Sequence, residues 1–203
     1  MTTRTNAGGI RFESHLTAEF LNDIELADEF KNDALHKSIF TKKETLQRIL
    51  GHGGRVALAI LNNALIIGFA ALDAPDPKER WGGMDGKIVM ELEAVEVAAG
   101  FRKQGVALQL LSELMADPGL EEKILYLVSY KWIWDMSRTG LDAESYRDML
   151  IRLFSGFGFK KLSTNEPNVC LEPENIFMVR MGKDVPARPR EVFKWLCYGV
   201  TME

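Results

Sequence analysis

The order of apolar and polar positions along the chain predicts alternating helices and strands. Apolar residues that recur every three or four positions indicate amphipathic helices, whereas apolar runs and two-residue alternation indicate strands. Helices are predicted over residues 17–30, 42–50, 106–115, 143–154 and 189–198. Strands are predicted over residues 55–61, 65–72, 88–97, 124–129, 159–163 and 176–181. The alternation favours an α/β protein of the α+β kind, with helices flanking a mixed, mostly antiparallel central sheet.

Turn-forming residues separate these elements. The pair Asn62-Asn63 lies between two apolar runs and predicts a β-hairpin, and the glycine-rich residues 51–54 end the second predicted helix. No internal repeat, low-complexity tract or long linker interrupts the chain. The expectation is therefore a single domain over residues 1–203, with N-terminal helices and a C-terminal helical extension.

The composition narrows the classes of function. With 203 residues, 46% hydrophobic residues and a net charge of -4, the chain is typical of a globular protein with a real core. No apolar run approaches the roughly 18 residues of a membrane span, and the polar start predicts a cytoplasmic protein. The acidic balance argues against nucleic acid as a partner. Two cysteines and three scattered histidines predict neither a disulfide framework nor a metal site.

A basic turn around one glycine separates a predicted strand from a predicted helix. Such a turn is an anion site, because the first N–H groups of the helix are unpaired and Gly105 brings no Cβ. A P-loop would need Lys and Ser or Thr after the glycine, where this chain has Val106 and Ala107. A dinucleotide fingerprint needs three glycines, of which one is present. Neither layout fits.

The hexapeptide Arg102-Lys103-Gln104-Gly105-Val106-Ala107 resembles the acetyl-coenzyme A loop of the GNAT acetyltransferase superfamily. That loop reads Arg/Gln-x-x-Gly-x-Gly/Ala between the fourth strand and the third helix of the family. The later Gly156-Phe157 is similar to the Gly-Phe that ends the next helix of the superfamily. The resemblance implies that backbone amides of residues 102–107 hold the pyrophosphate of acetyl-CoA. It also implies that the strand backbone at Val95 and Val97 contacts the thioester.

Further segments resemble one family within that superfamily, the acetoin-utilisation protein acetyltransferases of Bacillus-type bacteria. They are PDPKERW at 75–81, MELEAVEVA at 90–98, YKWIWD at 130–135, NEP at 165–167 and RMGK at 180–183. The resemblance covers about residues 68–185. It implies a protein lysine acetyltransferase that uses acetyl-CoA and lowers the activity of acetyl-CoA synthetase by acetylating it. A homodimer is compatible with this interpretation.

The chemistry of amine acetylation requires a base. A lysine amine attacks a thioester only when neutral, and its ordinary pKa is about 10.4. The predicted strand 88–97 carries Glu91, Glu93 and Glu96 among apolar neighbours. Glu91 is the favoured base, since it lies eleven residues before Arg102, the offset of the catalytic glutamate in histone-type GNAT enzymes. Glu96 is the second candidate and Glu93 the third. In a regular strand Glu91 and Glu93 share one face and Glu96 takes the other, although a bulge would change that assignment.

The sequence does not single out one proton donor for the departing thiolate. Superfamily members often have a tyrosine four residues before the Gly-Phe glycine, where this chain has Phe154. Tyr130 or Tyr146 is then the alternative donor, unless the thiolate leaves without direct protonation. Trp132 and Trp134 are predicted to share one face of an extended stretch, as a substrate groove or as core. The departure at Phe154 keeps open a small-amine acetyltransferase and a non-catalytic acyl-CoA sensor.

Overall fold

The computed structural model describes residues 4–5, 9–31, 40–84 and 87–201. The chain divides into two compact units. The first comprises Met1–Asp73 and Glu93–Asp117, and the second comprises Ala74–Leu92 and Pro118–Glu203. This division does not test the expectation of a single domain over 1–203, which stays a prediction.

The described residues form a mixed α/β fold, as the hydrophobic pattern predicts. Its strands are β1 (Arg4–Thr5), β2 (Ile10–Glu13), β3 (Glu25–Leu26), β4 (Arg55–Leu61), β5 (Leu65–Asp73), β6 (Val89–Val97), β7 (Ile124–Ser129), β8 (Lys160–Lys161) and β9 (Ile176–Met181). Its helices are α1 (Lys43–Gly51), α2 (Val106–Met115), α3 (Met136–Thr139), α4 (Ala143–Ser155), α5 (Pro167–Cys170) and α6 (Ala187–Leu196). Among the described residues, no helix is both long and apolar enough to cross a membrane.

In the first unit, the strand order is β1-β2-β4-β5, and the C-terminal half of β6 follows β5. The β2–β4 and β4–β5 pairs are antiparallel, and the short β3 pairs with β5 in parallel. Asn62 and Asn63 turn the β4–β5 hairpin in the left-handed region, with φ values of 51° and 59°. Asparagine tolerates this region better than most residues, so the predicted hairpin is confirmed.

The core of the first unit is built from aliphatic and phenylalanine side chains. Leu46 and Ile49 of α1 are fully buried with Phe30 and Phe69, whose rings are 5.2 Å apart. Helix α2 buries Val106, Leu110, Leu111 and Leu114, whereas Leu108 is exposed. Full burial of each such side chain contributes roughly 1.5–3 kcal/mol. This packing fixes the strand that leads into the glycine turn.

The prediction of a helix over residues 17–30 is wrong. That stretch forms a short 3-10 turn at Glu19–Asp23, after which Ile24 is extended and β3 pairs with β5. Most of its apolar residues are nevertheless buried in the first core, namely Leu21, Ile24, Leu26, Ala27 and Phe30. The spacing therefore identified the buried positions correctly, but strand pairing with β5 overrode the helical interpretation of that spacing.

In the second unit, the N-terminal half of β6 pairs in parallel with β7, which pairs with β9 in antiparallel, and β8 lies at the edge. The register places Glu91 directly beside Tyr126. The core of this unit contains the rings of Trp81, Phe177 and Phe193 around Tyr126. These aromatic contacts hold β7 and α6 against the segment that carries Trp81.

Three details of the second unit differ from the predictions. The strand expected over 159–163 is reduced to β8, Pro167–Cys170 form a short helix α5 that was not predicted, and the C-terminal helix begins two residues early. Pro167 occupies the first helical position of α5, where its missing N–H costs nothing. The other predicted helices and strands occur with bounds within a residue or so of those expected.

Candidate active site

The exit of β6 is shaped by backbone contacts within the first unit. The Ala98 N–H donates to the carbonyl of Ile67 at 2.9 Å, and a 3-10 turn follows at Ala99–Phe101. The Arg102 Nε then donates back to the Val97 carbonyl at 3.0 Å. This bond places the Arg102 side chain against the end of the strand, and it closes the turn that leads to α2.

Gly105 begins α2 in the left-handed region, with φ 80° and ψ 4°. No side chain caps this helix end, and a Cβ at Gly105 would meet nothing within 4 Å. Lys103 is also left-handed, with φ 61°. Because the first N–H groups of an α-helix have no intrahelical partners, this open end suits an anion such as a pyrophosphate. Residues 102–107 therefore fit the group that the sequence pattern predicts.

A carboxylate that the sequence reading missed also supports this turn. Both oxygens of Glu29 accept a hydrogen bond from the Ala99 N–H, at 2.9 and 3.0 Å. The contact spans 70 positions of the chain. Glu29 lies in the stretch wrongly predicted as a helix, so no sequence signal assigned it this position. It orients the first residue of the turn after β6.

The second half of β6 carries the alternative bases and the two valines that are predicted to contact the thioester. Glu93, Val95 and Glu96 are half-buried, whereas Val97 is buried. Burial alternates from Glu91 to Val95 and then breaks, because Val95 and Glu96 are both half-buried. Glu91 and Glu93 thus share one face as expected. Glu96 belongs to the first unit with the glycine turn, while Glu91 belongs to the second.

Glu91 is held by a buried phenol. The Tyr126 hydroxyl donates to Glu91 Oε2 at 2.9 Å. Tyr126 is fully buried, and its ring packs against Trp81 at 4.7 Å and Phe193 at 6.2 Å between centroids. A buried phenol hydroxyl usually finds a hydrogen-bond partner. Here the neighbouring strand supplies it, and the bond fixes the orientation of a half-buried carboxylate.

A second carboxylate interacts with the same phenol. Glu79 precedes the 3-10 turn at Arg80–Gly83, and its interaction with Tyr126 acts to lower its pKa. Partial burial of the carboxyl raises the pKa of Glu79, and the negative charges of Asp76 and Glu166 raise it further. Glu79 lies within the PDPKERW segment, where no sequence signal marks it as a functional residue. Only the fold brings its carboxyl beside a phenol from β7.

Tyr130 lies directly after β7, as predicted, and belongs to the same acidic group. Burial raises the pKa of Tyr130 to about 12, and the charges of Glu166, Glu91 and Glu79 add to the rise. Its ring stacks on Trp132, with centroids 4.5 Å apart and an angle of 8°. We call Glu79, Glu91, Glu166, Tyr126 and Tyr130 the acidic cluster. The structure therefore brings together Glu91 and Tyr130 of the predicted catalytic residues.

Trp132 and Trp134 do not share a face, contrary to the prediction. A 3-10 turn at Lys131–Ile133 separates them, so that Trp132 is 54% exposed and Trp134 only 4%. Trp134 stacks on Tyr146 at 5.1 Å, and its Nε1 donates to Ser129 Oγ at 2.8 Å. Trp134 is thus a core residue. Trp132 is free to contact a partner beside Tyr130.

Glu166 completes the acidic cluster from a third segment of the chain. Its Oε1 accepts from Asn168 Nδ2 at 3.2 Å, while its buried Oε2 has no hydrogen-bond partner among the described residues. The adjacent Thr164 and Asn165 accept hydrogen bonds from Arg80 Nη1. These bonds tie the segment of Glu166 to the segment of Glu79. Among the described residues, no group of three or more His, Cys, Asp or Glu side chains is placed to hold a metal ion.

Comparison with known proteins identifies the family. No protein-family model matches the chain. The chain is 31% identical over 191 residues to the acetoin utilization protein AcuA of Bacillus licheniformis, and the alignment covers 94% of this chain and 89% of that protein. The chain belongs to the AcuA family. The predicted resemblance to proteins of acetoin utilisation is thereby confirmed.

Solved structures agree with the AcuA assignment. The crystal structure of an acetoin utilization protein from Exiguobacterium sibiricum is similar with a TM-score of 0.87 and 29% identity, covering 98% of this chain and 94% of that one. A GNAT phosphinothricin acetyltransferase from Sinorhizobium meliloti, crystallised with AcCoA, has a TM-score of 0.57 at 16% identity, covering 88% and 91%. The fold of this AcuA-family chain is therefore that of the GNAT N-acetyltransferases.

Proposed function

We propose that the protein is an acetyl-CoA-dependent lysine N-acetyltransferase that acetylates acetyl-CoA synthetase and lowers its activity. The observation that carries the proposal is a single strand, β6. It bears a carboxylate fixed by a buried phenol, Glu91, and it leads into an open glycine turn at the start of α2. A base and an anion-binding turn on one strand are the two parts that acetyl transfer from CoA needs. The AcuA family and the GNAT fold support the same reaction.

Acetyl-CoA would be held at the turn in the first unit. The backbone N–H groups of residues 102–107 suit the pyrophosphate, and the left-handed Gly105 leaves open space where a Cβ would lie. Arg102 and Lys103 add positive charge. The strand backbone at Val95 and Val97 would contact the thioester, where N–H groups can stabilise the negative charge that develops on its carbonyl oxygen.

Glu91 would act as the general base. The acceptor lysine arrives as an ammonium ion, because its ordinary pKa of about 10.4 is far above neutrality. Glu91 takes one proton from nitrogen, and the neutral amine attacks the thioester carbonyl. The bond from that carbonyl carbon to sulfur then breaks, and the departing thiolate takes up the second proton that nitrogen loses as the amide forms. The carboxylates of Glu79 and Glu166 favour the approach of the ammonium ion. Glu96 stays the second candidate, and it lies on the first-unit half of β6.

Tyr130 would serve the leaving group as a neutral hydrogen-bond donor. Its pKa of about 12 keeps the phenol protonated at neutral pH. A thiol has an ordinary pKa of about 8.5, so complete proton transfer from this phenol to a thiolate is uphill. Tyr130 therefore suits hydrogen bonding to the departing sulfur better than full protonation. Phe154, which occupies the usual tyrosine position, is buried against Phe159 and offers no donor.

The acceptor is expected to be a lysine on a protein surface. Trp132 is exposed and stacked on Tyr130, next to the carboxylates that would meet the ammonium ion. Exposed tryptophans are enriched at the energetic centres of protein interfaces. This arrangement favours a protein acceptor, and acetyl-CoA synthetase is the partner that the resemblance implies. A homodimer stays a prediction.

The test is incubation of the protein with acetyl-CoA and acetyl-CoA synthetase, followed by mass spectrometry of the synthetase. We expect one lysine to gain an acetyl group and the synthetase to lose activity. Glu91→Gln should slow transfer by about 10²–10⁴-fold, which is typical of a lost general base, with CoA binding unchanged in calorimetry. Glu93→Gln and Glu96→Gln on the same strand test the other two candidates for the base.

Each of the other outcomes would indicate a different function or a different catalytic residue. Rapid acetylation of a small amine without any acetylated synthetase would identify a small-molecule enzyme. CoA binding without transfer to any amine would identify a sensor. A loss confined to Glu96→Gln would move the base to that residue, and absence of CoA binding would overturn the whole proposal.

A further inference from the structure

We propose that Glu29 is a positioning residue for acetyl-CoA, which holds the Ala99 N–H and thereby fixes the path of the chain from the end of β6 to the glycine turn. The inference rests on the binding of acetyl-CoA at residues 102–107 proposed above. The sequence pattern places the whole cosubstrate site within residues 95–107. Glu29 adds a side chain from the N-terminal part of the chain, which acts through Ala99 rather than on the cosubstrate.

The strand β6 leaves the sheet at Ala98, and another segment continues along the same edge of β5. The Ala98 N–H donates to the Ile67 carbonyl at 2.9 Å. The adjoining residues of β5, Leu65 and Ile66, pair with β4 on one edge and with β3 on the other. The segment after β3 stays close, because the Ala27 N–H donates to the Ile66 carbonyl at 3.1 Å. The chain that follows β3 therefore runs beside the exit of β6.

The departure of β6 from the sheet creates an N–H group that needs a partner. Ala99 is the first residue of a 3-10 turn, and the first N–H groups of a helical turn have no acceptor within that turn. Ala98, at the capping position, has no side-chain oxygen that could accept from them. The two oxygens of Glu29 accept from the Ala99 N–H at 2.9 and 3.0 Å. Glu29 is thus a cap supplied from a distant segment, and its charge strengthens the hydrogen bond.

Glu29 is itself anchored by its neighbours in the chain. Phe30 is fully buried, and its ring lies 5.2 Å from that of Phe69 on β5. The Phe30 N–H donates to the Ala27 carbonyl at 3.0 Å, which closes a turn over residues 27–30. A carboxylate whose backbone is already fixed loses less conformational entropy when it makes a contact. The cap is therefore held in place before the cosubstrate binds.

The backbone of Ala99 connects the cap to the proposed pyrophosphate site. Its N–H is held by Glu29, and its carbonyl accepts from the Arg102 N–H at 3.2 Å. The Arg102 Nε then donates to the Val97 carbonyl at 3.0 Å. Displacement of Ala99 would therefore move Arg102, the first of the residues whose N–H groups suit the pyrophosphate. When fewer molecules hold the binding conformation of the turn, the apparent Kd for CoA rises in proportion.

The first test measures the binding of CoA by calorimetry in Glu29→Ala and Glu29→Gln. Removal of a negative charge near an anion site would tighten binding, whereas removal of a cap would weaken it. We expect Glu29→Ala to raise the Kd about tenfold, and Glu29→Gln, which keeps a side-chain oxygen as acceptor, to raise it less. Asp28→Ala is the matched control, because Asp28 is an exposed carboxylate one position earlier that accepts from Lys31 Nζ at 3.1 Å. It should bind CoA as the original protein does.

A double-variant cycle tests the contact itself. Ala99→Pro removes the N–H that Glu29 holds. The backbone suits this change, because proline fits the first position of a helical turn and the preceding Ala98 is extended, with ψ 139°. In the Ala99→Pro background, Glu29→Ala should no longer weaken CoA binding, since there is no N–H left to cap. An equal loss of affinity in both backgrounds would show that Glu29 acts elsewhere, and it would overturn the inference.

Steady-state acetylation of acetyl-CoA synthetase separates positioning from a general loss of structure. Glu29→Ala should raise the KM for acetyl-CoA while kcat and the KM for the synthetase stay the same, as expected when only cosubstrate binding is weakened. A lower kcat with an unchanged KM for acetyl-CoA would contradict the inference.

The failure of this inference is distinguishable from that of the proposed function. If the original protein binds CoA and Glu29→Ala binds it equally well or more tightly, the role of Glu29 is wrong and the proposed function stands. If the original protein does not bind CoA, the proposed function fails and the inference fails with it. Should Glu29→Ala lose its far-ultraviolet circular dichroism, Glu29→Gln decides, and an unchanged Kd in that variant would overturn the inference.

Discussion

The two compact units differ in which aromatic side chains they contain. All four tryptophans and all four tyrosines lie in the second unit, whereas the aromatic residues of the first unit are phenylalanines. A buried phenol or indole brings a polar group that needs a partner, and a buried phenylalanine does not. The first unit therefore has an apolar core and presents backbone N–H groups at Gly105. The second unit presents side-chain hydroxyls and carboxylates.

This difference separates the two halves of the proposed reaction. Binding of acetyl-CoA would depend on the backbone conformation of one turn, and proton removal on side chains that tertiary packing brings together. The same difference provides a measurement. Tryptophan fluorescence and near-ultraviolet circular dichroism from tyrosine and tryptophan report on the second unit alone, because the first unit contains neither residue.

The largest effect is expected at Gly82. An ideal Cβ on Gly82 would lie 2.1 Å from the Asp76 carbonyl oxygen and 2.7 Å from Pro77 Cα. Gly82→Ala must therefore displace the segment that carries Glu79, at a cost of about 3 kcal/mol, the upper end of the range for overpacking. Denaturant unfolding followed by tryptophan fluorescence measures this loss.

The adjacent glycine is the control for that variant. A Cβ on Gly83 would meet nothing within 4 Å, so Gly83→Ala should change the free energy of unfolding by less than about 0.5 kcal/mol. Equal stability of Gly82→Ala and the original protein would show that the segment of Glu79 is not packed as described. Such a result would contradict the packing of Glu79 by its own segment in the second unit.

A smaller effect is expected from Cys197 at alkaline pH. Burial raises the pKa of Cys197 from an ordinary 9.0 to about 11. Between these values the unfolded state loses its proton and the folded state keeps it, so stability falls as pH rises from 9 to 11. Two pKa units correspond to a loss on the order of 2–3 kcal/mol. Cys197→Ala should remove this part of the pH dependence.

The contribution of Cys197 is the difference between the alkaline loss of stability in the original protein and that in Cys197→Ala. Tyr130, with a pKa raised to about 12, also favours the folded state less as pH rises above 10. It contributes equally to the original protein and to Cys197→Ala, and so cancels. The exposed Cys170 provides the control, and Cys170→Ala should keep the full alkaline loss. An unchanged slope in Cys197→Ala would contradict the burial of that thiol as the cause.

Local patterns predicted the first unit's turn better than they predicted the acidic cluster. Residues 106–115 were expected to form a helix and do so, and Gly105 was expected at its start. Both signals lie within a dozen consecutive residues. The helix predicted over residues 17–30 does not form, because the pairing of β3 with β5 depends on residues forty positions away. A spacing of three or four residues fits a helix and this buried irregular segment equally well.

The acidic cluster depends on contacts that the sequence does not state. Glu91 was singled out by its offset from Arg102, but nothing local indicates that parallel pairing of β6 and β7 sets Tyr126 beside it. Glu79 and Glu166 arrive from two other segments. The one available signal was a tyrosine inside the otherwise apolar run of β7, since a phenol in a buried strand implies a polar neighbour. It did not identify which neighbour.

The smallest effect is expected at Gly105. It tests the proposal that the backbone of the first unit binds CoA. An alanine at φ 80° costs about 1–2 kcal/mol, because Cβ crowds the following carbonyl in the left-handed region. The turn would relax toward another conformation and its N–H groups would turn away from the anion. We expect Gly105→Ala to weaken CoA binding about tenfold, or about 1.4 kcal/mol, as measured by calorimetry.

Gly100→Ala is the matched control, because Gly100 lies in the same turn, is not left-handed, and has nothing within 4 Å of an added Cβ. It should bind CoA as the original protein does. Tryptophan fluorescence should be the same in both variants, since neither change touches the second unit. If Gly105→Ala instead left CoA binding intact and lowered kcat, the glycine would act on chemistry rather than on binding. The division between a backbone binding turn and a side-chain proton site would then fail.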